Sequence, residues 1–458
     1  MGPPCQGKIY IEARKLPGID DGFGSNSIGA LIRRHVAFCY KELHIGQRIS
    51  LNSTLEALVA LIEVKGHSSS QATWEAPAYL LSDNDLDIAV YAVNESEEYH
   101  GIADSESPFH TVPLPHAMFV GLWESLKFKG PIGDEILNVL AAAIRKWHDD
   151  STALTSSWFN TVLLHGPPGS GKTSLAHGLA QRLSIRLSDI YTGAKLIQVN
   201  GNGMFSHMYG GTSKAISSCF SAIHGMASSD AEDAQLLIVV MDEIDKLVPC
   251  RGSVSKKQEP LDTMRATAEV LTGLDQLRCS INIVWIFTTN LVQELDPAFV
   301  DRCLFRKAVN APESDCIYEM LRMDIDARIQ RGEISRTGMP SDQPSATVEP
   351  MSSDASATQW LVLREIAHLC AGLSARHLRG LLDIALVKGE VHSQTELQGV
   401  LSTLKALVQD EVGACQEDGS AGRAEAVTEE DVDLPTEGLQ DDGPGPLPID
   451  VNVYSSDV

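Results

Sequence analysis

The longest run of large aliphatic residues in this 458-residue chain is LLIVVM at 236–241, far short of the roughly 20 apolar residues that a membrane-spanning helix needs. No membrane helix is expected. The start of the chain, MGPPCQGKIYIEARK, lacks the apolar core of a signal peptide, and Gln6 stands where a myristoylation motif calls for Ser or Thr. A protein that stays inside the cell is the reading. Nine cysteines, at 5, 39, 219, 250, 279, 303, 316, 370 and 415, are odd in number and contain no CxxC pair. That pattern supports neither a disulfide framework nor a zinc site, and reduced, mostly buried thiols are expected. Basic residues are also in deficit: 36 Lys and Arg face 61 Asp and Glu, a formal charge of −25 that repels a phosphate backbone. With aromatics at 6% and no basic stripe among them, direct nucleic-acid binding is not expected.

The acidity is uneven. Residues 410–458 carry fourteen Asp and Glu against Arg423, a net −13 of the −25, and read as a disordered tail that either binds a partner or only solubilises the chain. The length of the whole chain predicts about three domains, and 43% hydrophobic residues suffices for sizeable cores. Residues 1–105 read as a separate α/β domain. KIYIEARK alternates like a strand, Ile28, Leu31, Ile32, His35, Val36, Cys39, Tyr40 and Leu43 recur at helical spacing, and LDIAVYAV reads as a second strand. His35 is assigned no chemistry, since a histidine on an apolar face is far more often structural. The Pro-rich and small polar residues ending at 106–115 mark a linker.

From 116 to 310, apolar strands alternate with helical patterns, which predicts a parallel sheet covered on both faces. The strands are TVLLHG, KLIQVN, LLIVVMDE, NIVWIFTTN and a short one near KAV at 307–309. Residues 311–409 read as helices only, interrupted at 335–358 by six Ser and three Pro in a segment expected to be disordered.

GPPGSGKT, comprising Gly166, Pro167, Pro168, Gly169, Ser170, Gly171, Lys172 and Thr173, matches GxxxxGK[ST] between a strand and a helix, and with Ser174 after it forms the expected nucleotide-binding segment. The glycines let backbone N–H groups converge on phosphate oxygens at a helix N-terminus. Lys172 would then reach the β and γ phosphates of ATP, and Thr173 would offer its hydroxyl to Mg²⁺. LLIVVMDE ends in Asp242 and Glu243. Beside a phosphate loop, Asp242 would hold Mg²⁺ and Glu243 would polarise the attacking water; without one, the pair would be a solvated acidic turn. Asp245 reads as solvated or capping. Asn290 ends the next strand, where an amide can hold the water without adding charge, although an Asn there is often a turn residue. Arg302 in DPAFVDR could stabilise transition-state charge on a neighbouring subunit's nucleotide, or simply pair with Asp301 or Asp296. GLSARHL at 372–378 places a serine N-cap and then Arg376 in a helix's first turn. A cation is poorly placed there for the helix dipole, so an anion from outside is implied.

These residues resemble the AAA+ ATPases: GPPGSGKT as Walker A, IVVMDE as Walker B, Asn290 as sensor 1, Arg302 as arginine finger and GLSAR as sensor 2. Within that superfamily, LPHAMFVGLWESLKF and the stretch from NTVLLHG to RLSIRLS look like the pachytene checkpoint ATPases, remodellers of HORMA-domain proteins. The resemblance implies a P-loop NTPase core with a helical lid domain and a separate α/β N-terminal domain. It further implies a homo-hexamer whose N-domains dock a HORMA substrate or adaptor, and pore loops that pull on it. In FSHMYGGTSK, the matching pore loop, His207, Met208 and Tyr209 follow one another, with Met208 at the family's usual aromatic position. Such a protein would act in meiotic chromosome axes or the spindle checkpoint, in the nucleus and cytoplasm. The alternatives are an AAA+ motor or loader acting on nucleic acid, or an ATP-binding scaffold; a membrane role is not expected.

Overall fold

The computed structural model describes residues 7–18, 25–68, 78–95, 109–149, 160–199, 211–227, 235–250, 260–278, 280–335, 354–390 and 396–424. Near the N-terminus, β1 (Gly7–Lys15) is central in a three-stranded sheet. A short β2 (Glu42–Leu43) lies outside that sheet, while β3 (Val59–His67) pairs antiparallel with β1. The two-residue β4 (Tyr79–Leu80) pairs with β2, and β5 (Asn84–Tyr91) runs parallel to β1. Alternation along β1 puts Ile9, Ile11 and Ala13 into the core, against Ile28, Ile32 and Val36 of helix Ser25–Cys39. That helix stops at Cys39. Leu43 is buried from β2 rather than from a helix face, and Leu31 and Cys39 are exposed, so the apolar stripe is narrower than the spacing predicts. His35 is structural: its ring bonds Ser50 O at 2.7 Å and the Asn52 amide at 3.3 Å.

The larger sheet comprises β6 (Phe109–Leu114), β7 (Thr161–His165), β8 (Gly193–Val199), β9 (Gln235–Met241), β10 (Ile283–Thr289) and β11 (Phe305–Ala308). Its order is β11-β7-β10-β9-β8-β6, parallel except for β6. Burial on both faces explains why β9 and β10 read as unbroken apolar runs, with alternate residues facing opposite helix layers. Leu236, Ile238, Val240, Val284 and Ile286 face helices Ile132–Asp149 and Lys172–Arg186; Leu237, Val239, Met241, Trp285 and Phe287 face helices Gly211–Ala227 and Pro260–Gln276. Trp285 stacks between Phe220 and Phe287, at centroid distances of 5.1 and 6.0 Å.

Two segments differ from the sequence reading. The linker expected at 106–115 contains β6, which buries Val112 and Leu114 and pairs antiparallel with β8. Pro113 obscured it in the sequence, but a proline is tolerated on an edge strand. The tail expected to be disordered from 410 is helical to Ala424, within helix Leu397–Ala424. Leu397, Val400, Leu401, Leu404 and Val408 anchor the start of that helix, and propagation from a formed helix costs far less than nucleation. The chain forms two units, 1–409 and 410–458. In the first, helices Ser314–Gln330, Asp354–Leu369 and Ala375–Glu390 follow the sheet. Of the insertion at 335–358, Ser335 bridges to Glu396 and residues from Asp354 are helical, while 336–353 lie outside the described residues. Among the thiols, Cys219, Cys303, Cys316 and Cys370 are buried and Cys39 is exposed.

Candidate functional site

The strand register assembles the site. Thr289 lies opposite His165 and Phe287 opposite Met241, so the loop after β7, the pair after β9 and Asn290 after β10 emerge side by side. In space β7 sits between β10 and β11, although β8 follows it in the chain, which makes this edge the sheet's topological switch point.

The glycines are needed for clearance. Gly166 has φ +146°, and a Cβ there would meet Val309 O at 2.2 Å; at Gly169, φ +71°, it would meet Ser374 Cβ at 2.6 Å. The helical lid therefore packs directly onto the phosphate loop. Gly171 precedes helix Lys172–Arg186, whose first N–H groups open toward the loop. Lys172 is buried, and its Nζ donates to Gly166 O at 2.9 Å and Pro167 O at 2.8 Å. Burial pulls its pKa down, opposed by the Asp242 and Asp245 carboxylates. Ser170 Oγ is buried with no hydrogen-bond partner among the described residues, as suits a hydroxyl turned to a phosphate.

Thr173 Oγ1 donates to Asp242 Oδ1 at 3.0 Å, and Thr288 Oγ1 donates to the same oxygen at 2.8 Å. Two hydroxyls thus fix that carboxylate, and the hard oxygens of Thr173 and Asp242 suit Mg²⁺. Glu243 adopts φ 53°, ψ 47°, the one non-glycine residue with positive φ among the described residues. A left-handed conformation costs of order 1–3 kcal/mol and is retained here at the end of a buried strand, where Glu243 lines the crevice. Its backbone N–H donates to Thr288 Oγ1 at 3.2 Å, and its carboxylate pairs with Lys246. Asp245, read from sequence as solvated or capping, instead accepts from Thr289 Oγ1 at 2.7 Å at the same sheet edge.

A cavity of about 330 Å³ is lined by residues 168–174, Glu243, Thr288 and Asn290, and on the lid side by Arg376. The serine cap holds: Ser374 Oγ accepts from His377 N at 3.2 Å. Sequence reasoning did not place Leu126, Phe128 and Met320 at the site as its apolar lining, because they come from segments distant in the chain from the phosphate loop. It also missed Arg379, whose Nε lies 3.3 Å from Asp324 Oδ2. There a signal existed, since Arg379 is one helical turn beyond Arg376 on the same face.

Arg302 does not line this cavity. Its Nε and Nη2 donate to Asp275 at 2.9 and 2.7 Å, and Nη1 donates to Ala298 O at 2.8 Å. This bond holds the Asp275 carboxyl below the usual range and raises Arg302. The ion pair expected with Asp301 or Asp296 is thus made with Asp275, while Asp296 caps its own helix through Ala298 N at 2.8 Å. His207, Met208 and Tyr209 lie outside the described residues.

A parallel sheet with this strand order, a glycine loop at its switch point and a helical lid closing on that loop define the class: an AAA-type ATPase. Residues 162–311 match the ATPase family associated with various cellular activities (AAA). A pachytene checkpoint protein 2 homolog from Arabidopsis thaliana is 34% identical over 282 residues, 59% of this chain and 60% of that one. The homolog from Danio rerio is 33% identical over 296 residues, 64% of this chain and 69% of that one. The structure of C. elegans PCH-2 is similar at a TM-score of 0.70 and 24% identity, covering 89% of this chain and 99% of that chain. A second structure, an E. coli MS115-1 HORMA:CdnC:Trip13 complex, matches in fold at a TM-score of 0.50 and 14% identity, over 64% of this chain and 93% of that chain. The chain belongs to the pachytene checkpoint protein 2 family.

Proposed function

We propose that this chain forms a hexameric ring that hydrolyses ATP to remodel HORMA-domain proteins, directly or through a HORMA adaptor. Its setting is the meiotic chromosome axis or the spindle checkpoint, in the nucleus and cytoplasm. The observation that carries the reading is Glu243 at the wall of the cavity that the phosphate loop and Arg376 also line. The fold similarity to a complex that contains a HORMA protein supports the substrate class.

Loop N–H groups and Lys172 bind the phosphates, with Lys172 exchanging its own loop's carbonyls for phosphate oxygens. Leu126, Phe128 and Met320 offer the base an apolar wall. Thr173 and Asp242 would hold Mg²⁺, which would supply charge neutralisation to the nucleotide's phosphates. Glu243 accepts a proton from the attacking water, which Asn290 orients, and to do so its carboxylate leaves Lys246. Arg376 senses the γ phosphate from the lid, and Arg302 acts on the neighbouring subunit's nucleotide. His207, Met208 and Tyr209 grip the substrate in the pore, Met208 through a flexible apolar side chain.

The test measures phosphate release and conformational conversion of a HORMA-domain protein in the same preparations. Turnover is expected to rise with the HORMA protein and to be indifferent to DNA. Replacing Met208 and Tyr209 together by Ser should preserve basal turnover and abolish conversion. Stimulation by DNA alone would replace this reading with that of a nucleic-acid motor, and absence of any turnover would leave a scaffold.

A further inference from the structure

The parallel ladder pairs Phe287 with Met241, so the register sets Thr288, one place further along β10, beside Asp242. Alternation decides its direction. Val284 and Ile286 face helices Ile132–Asp149 and Lys172–Arg186, and Thr288 continues that series toward the helix that opens with Lys172 and Thr173. A β-branched side chain has little freedom about χ1, and at 3% exposure water hardly competes for this hydroxyl. The strand therefore holds it in place.

A hydroxyl has one hydrogen to give and lone pairs to accept with. Thr288 gives its hydrogen to Asp242 Oδ1 at 2.8 Å and accepts the backbone N–H of Glu243 at 3.2 Å. Both neighbours are thereby fixed by one atom. The bonds run in one direction, from Glu243 N–H through the hydroxyl to the carboxylate, an order in which each bond polarises the next. The carboxylate end is charge-assisted and strong. The amide end meets Glu243 at φ 53°, a left-handed backbone that persists only where its surroundings hold it. Thr173 gives Asp242 Oδ1 its other hydrogen bond at 3.0 Å, but Thr173 adjoins the phosphate loop and is itself a candidate metal ligand. The Thr288 hydroxyl is spent on residues 242 and 243, so what it contributes passes through them.

We propose that Thr288 is the positioning residue for both acidic groups: its hydroxyl orients the Asp242 carboxylate for Mg²⁺ and pins the backbone of Glu243, so that metal ligand and base are set by one side chain of the neighbouring strand. This role rests on those proposed for Asp242 and Glu243, and it gives β10 a part in hydrolysis before Asn290 is reached.

The test compares Thr288→Val, isosteric but without the hydroxyl, with Thr288→Ser, which keeps it. Calorimetry on the full chain gives the affinity for the non-hydrolysable analogue AMP-PNP in EDTA and in Mg²⁺, and phosphate release gives kcat. In EDTA both variants should bind as the wild type does. The factor by which Mg²⁺ strengthens binding should shrink about tenfold in Thr288→Val, and kcat should fall about 10–100-fold, the range for losing a partner behind a metal ligand, with both recovering in Thr288→Ser. An unchanged Mg²⁺ factor, an unchanged kcat, or a Thr288→Ser no better than Thr288→Val overturns the proposal. So does an equal loss of affinity in EDTA and in Mg²⁺, the mark of a merely structural role. Should Thr288→Val not fold, Thr288→Ser against Thr288→Ala decides by the same readouts, because those two share the missing methyl and differ by the hydroxyl alone. The Mg²⁺ factor needs no turnover, so a wild type without hydrolysis would sink the proposed function and still leave Thr288 decided.

Discussion

Glu243→Gln is expected to bind ATP and hardly turn it over, with phosphate release falling by roughly 10²–10⁴, the range for a general base. The amide keeps the shape of the side chain, and the backbone contact to Thr288 does not depend on the carboxylate. What it loses is the ability to accept the water's proton. Lys172→Ala should fail one step earlier, because the charge facing the phosphates is gone. Labelled-nucleotide binding and phosphate release, measured on both variants, separate the two defects. Near-normal turnover by Glu243→Gln would show that another group is the base, and Asp245, bonded to Thr289 at the same edge, would be the next to test.

Arg302→Ala should leave ATP binding intact and cut hydrolysis by a factor on the order of 10³, the lower end for an arginine finger. The guanidinium spends three N–H groups inside its own chain, two on Asp275 and one on Ala298 O. Its charge is therefore held at a fixed place beside helix Pro260–Gln276, outside the cavity of its own subunit. Asp275→Ala should lower hydrolysis as well, by less than Arg302→Ala does, since the charge survives and only its orientation is lost. Mixing Arg302→Ala with Lys172→Ala subunits should recover part of the activity, because an interface that pairs an intact loop with an intact finger is restored. No recovery in assembled mixed rings would mean that Arg302 does not act across subunits.

What could be read from the sequence was what is encoded locally. The glycines of the phosphate loop are spaced by the turn itself, and β9 and β10 announce their position by burying both faces. Contacts between distant segments carry no such signature. Asp275 lies 27 residues from Arg302, and nothing marks it apart from Asp296 or Asp301, which are nearer in the chain. Phe128 and Met320 meet at one cavity from segments nearly 200 residues apart. Asp245 was misjudged because its partner, Thr289, comes from the next strand of the sheet rather than from the turn in which it sits. The acidic composition after 410 argued for disorder, yet the preceding apolar residues start a helix that continues to Ala424.

The edge strand β6 bears on how this protein can be shortened. A fragment beginning at 116, where composition alone would place the start of the ATPase portion, loses the strand that covers β8 and the side chains of Val112 and Leu114. β8 would then display a row of unpaired N–H and C=O groups, a template on which other chains add strands. Light scattering should show such a fragment aggregating at concentrations where one beginning at 108 remains dispersed, because the second keeps its own cover on that edge.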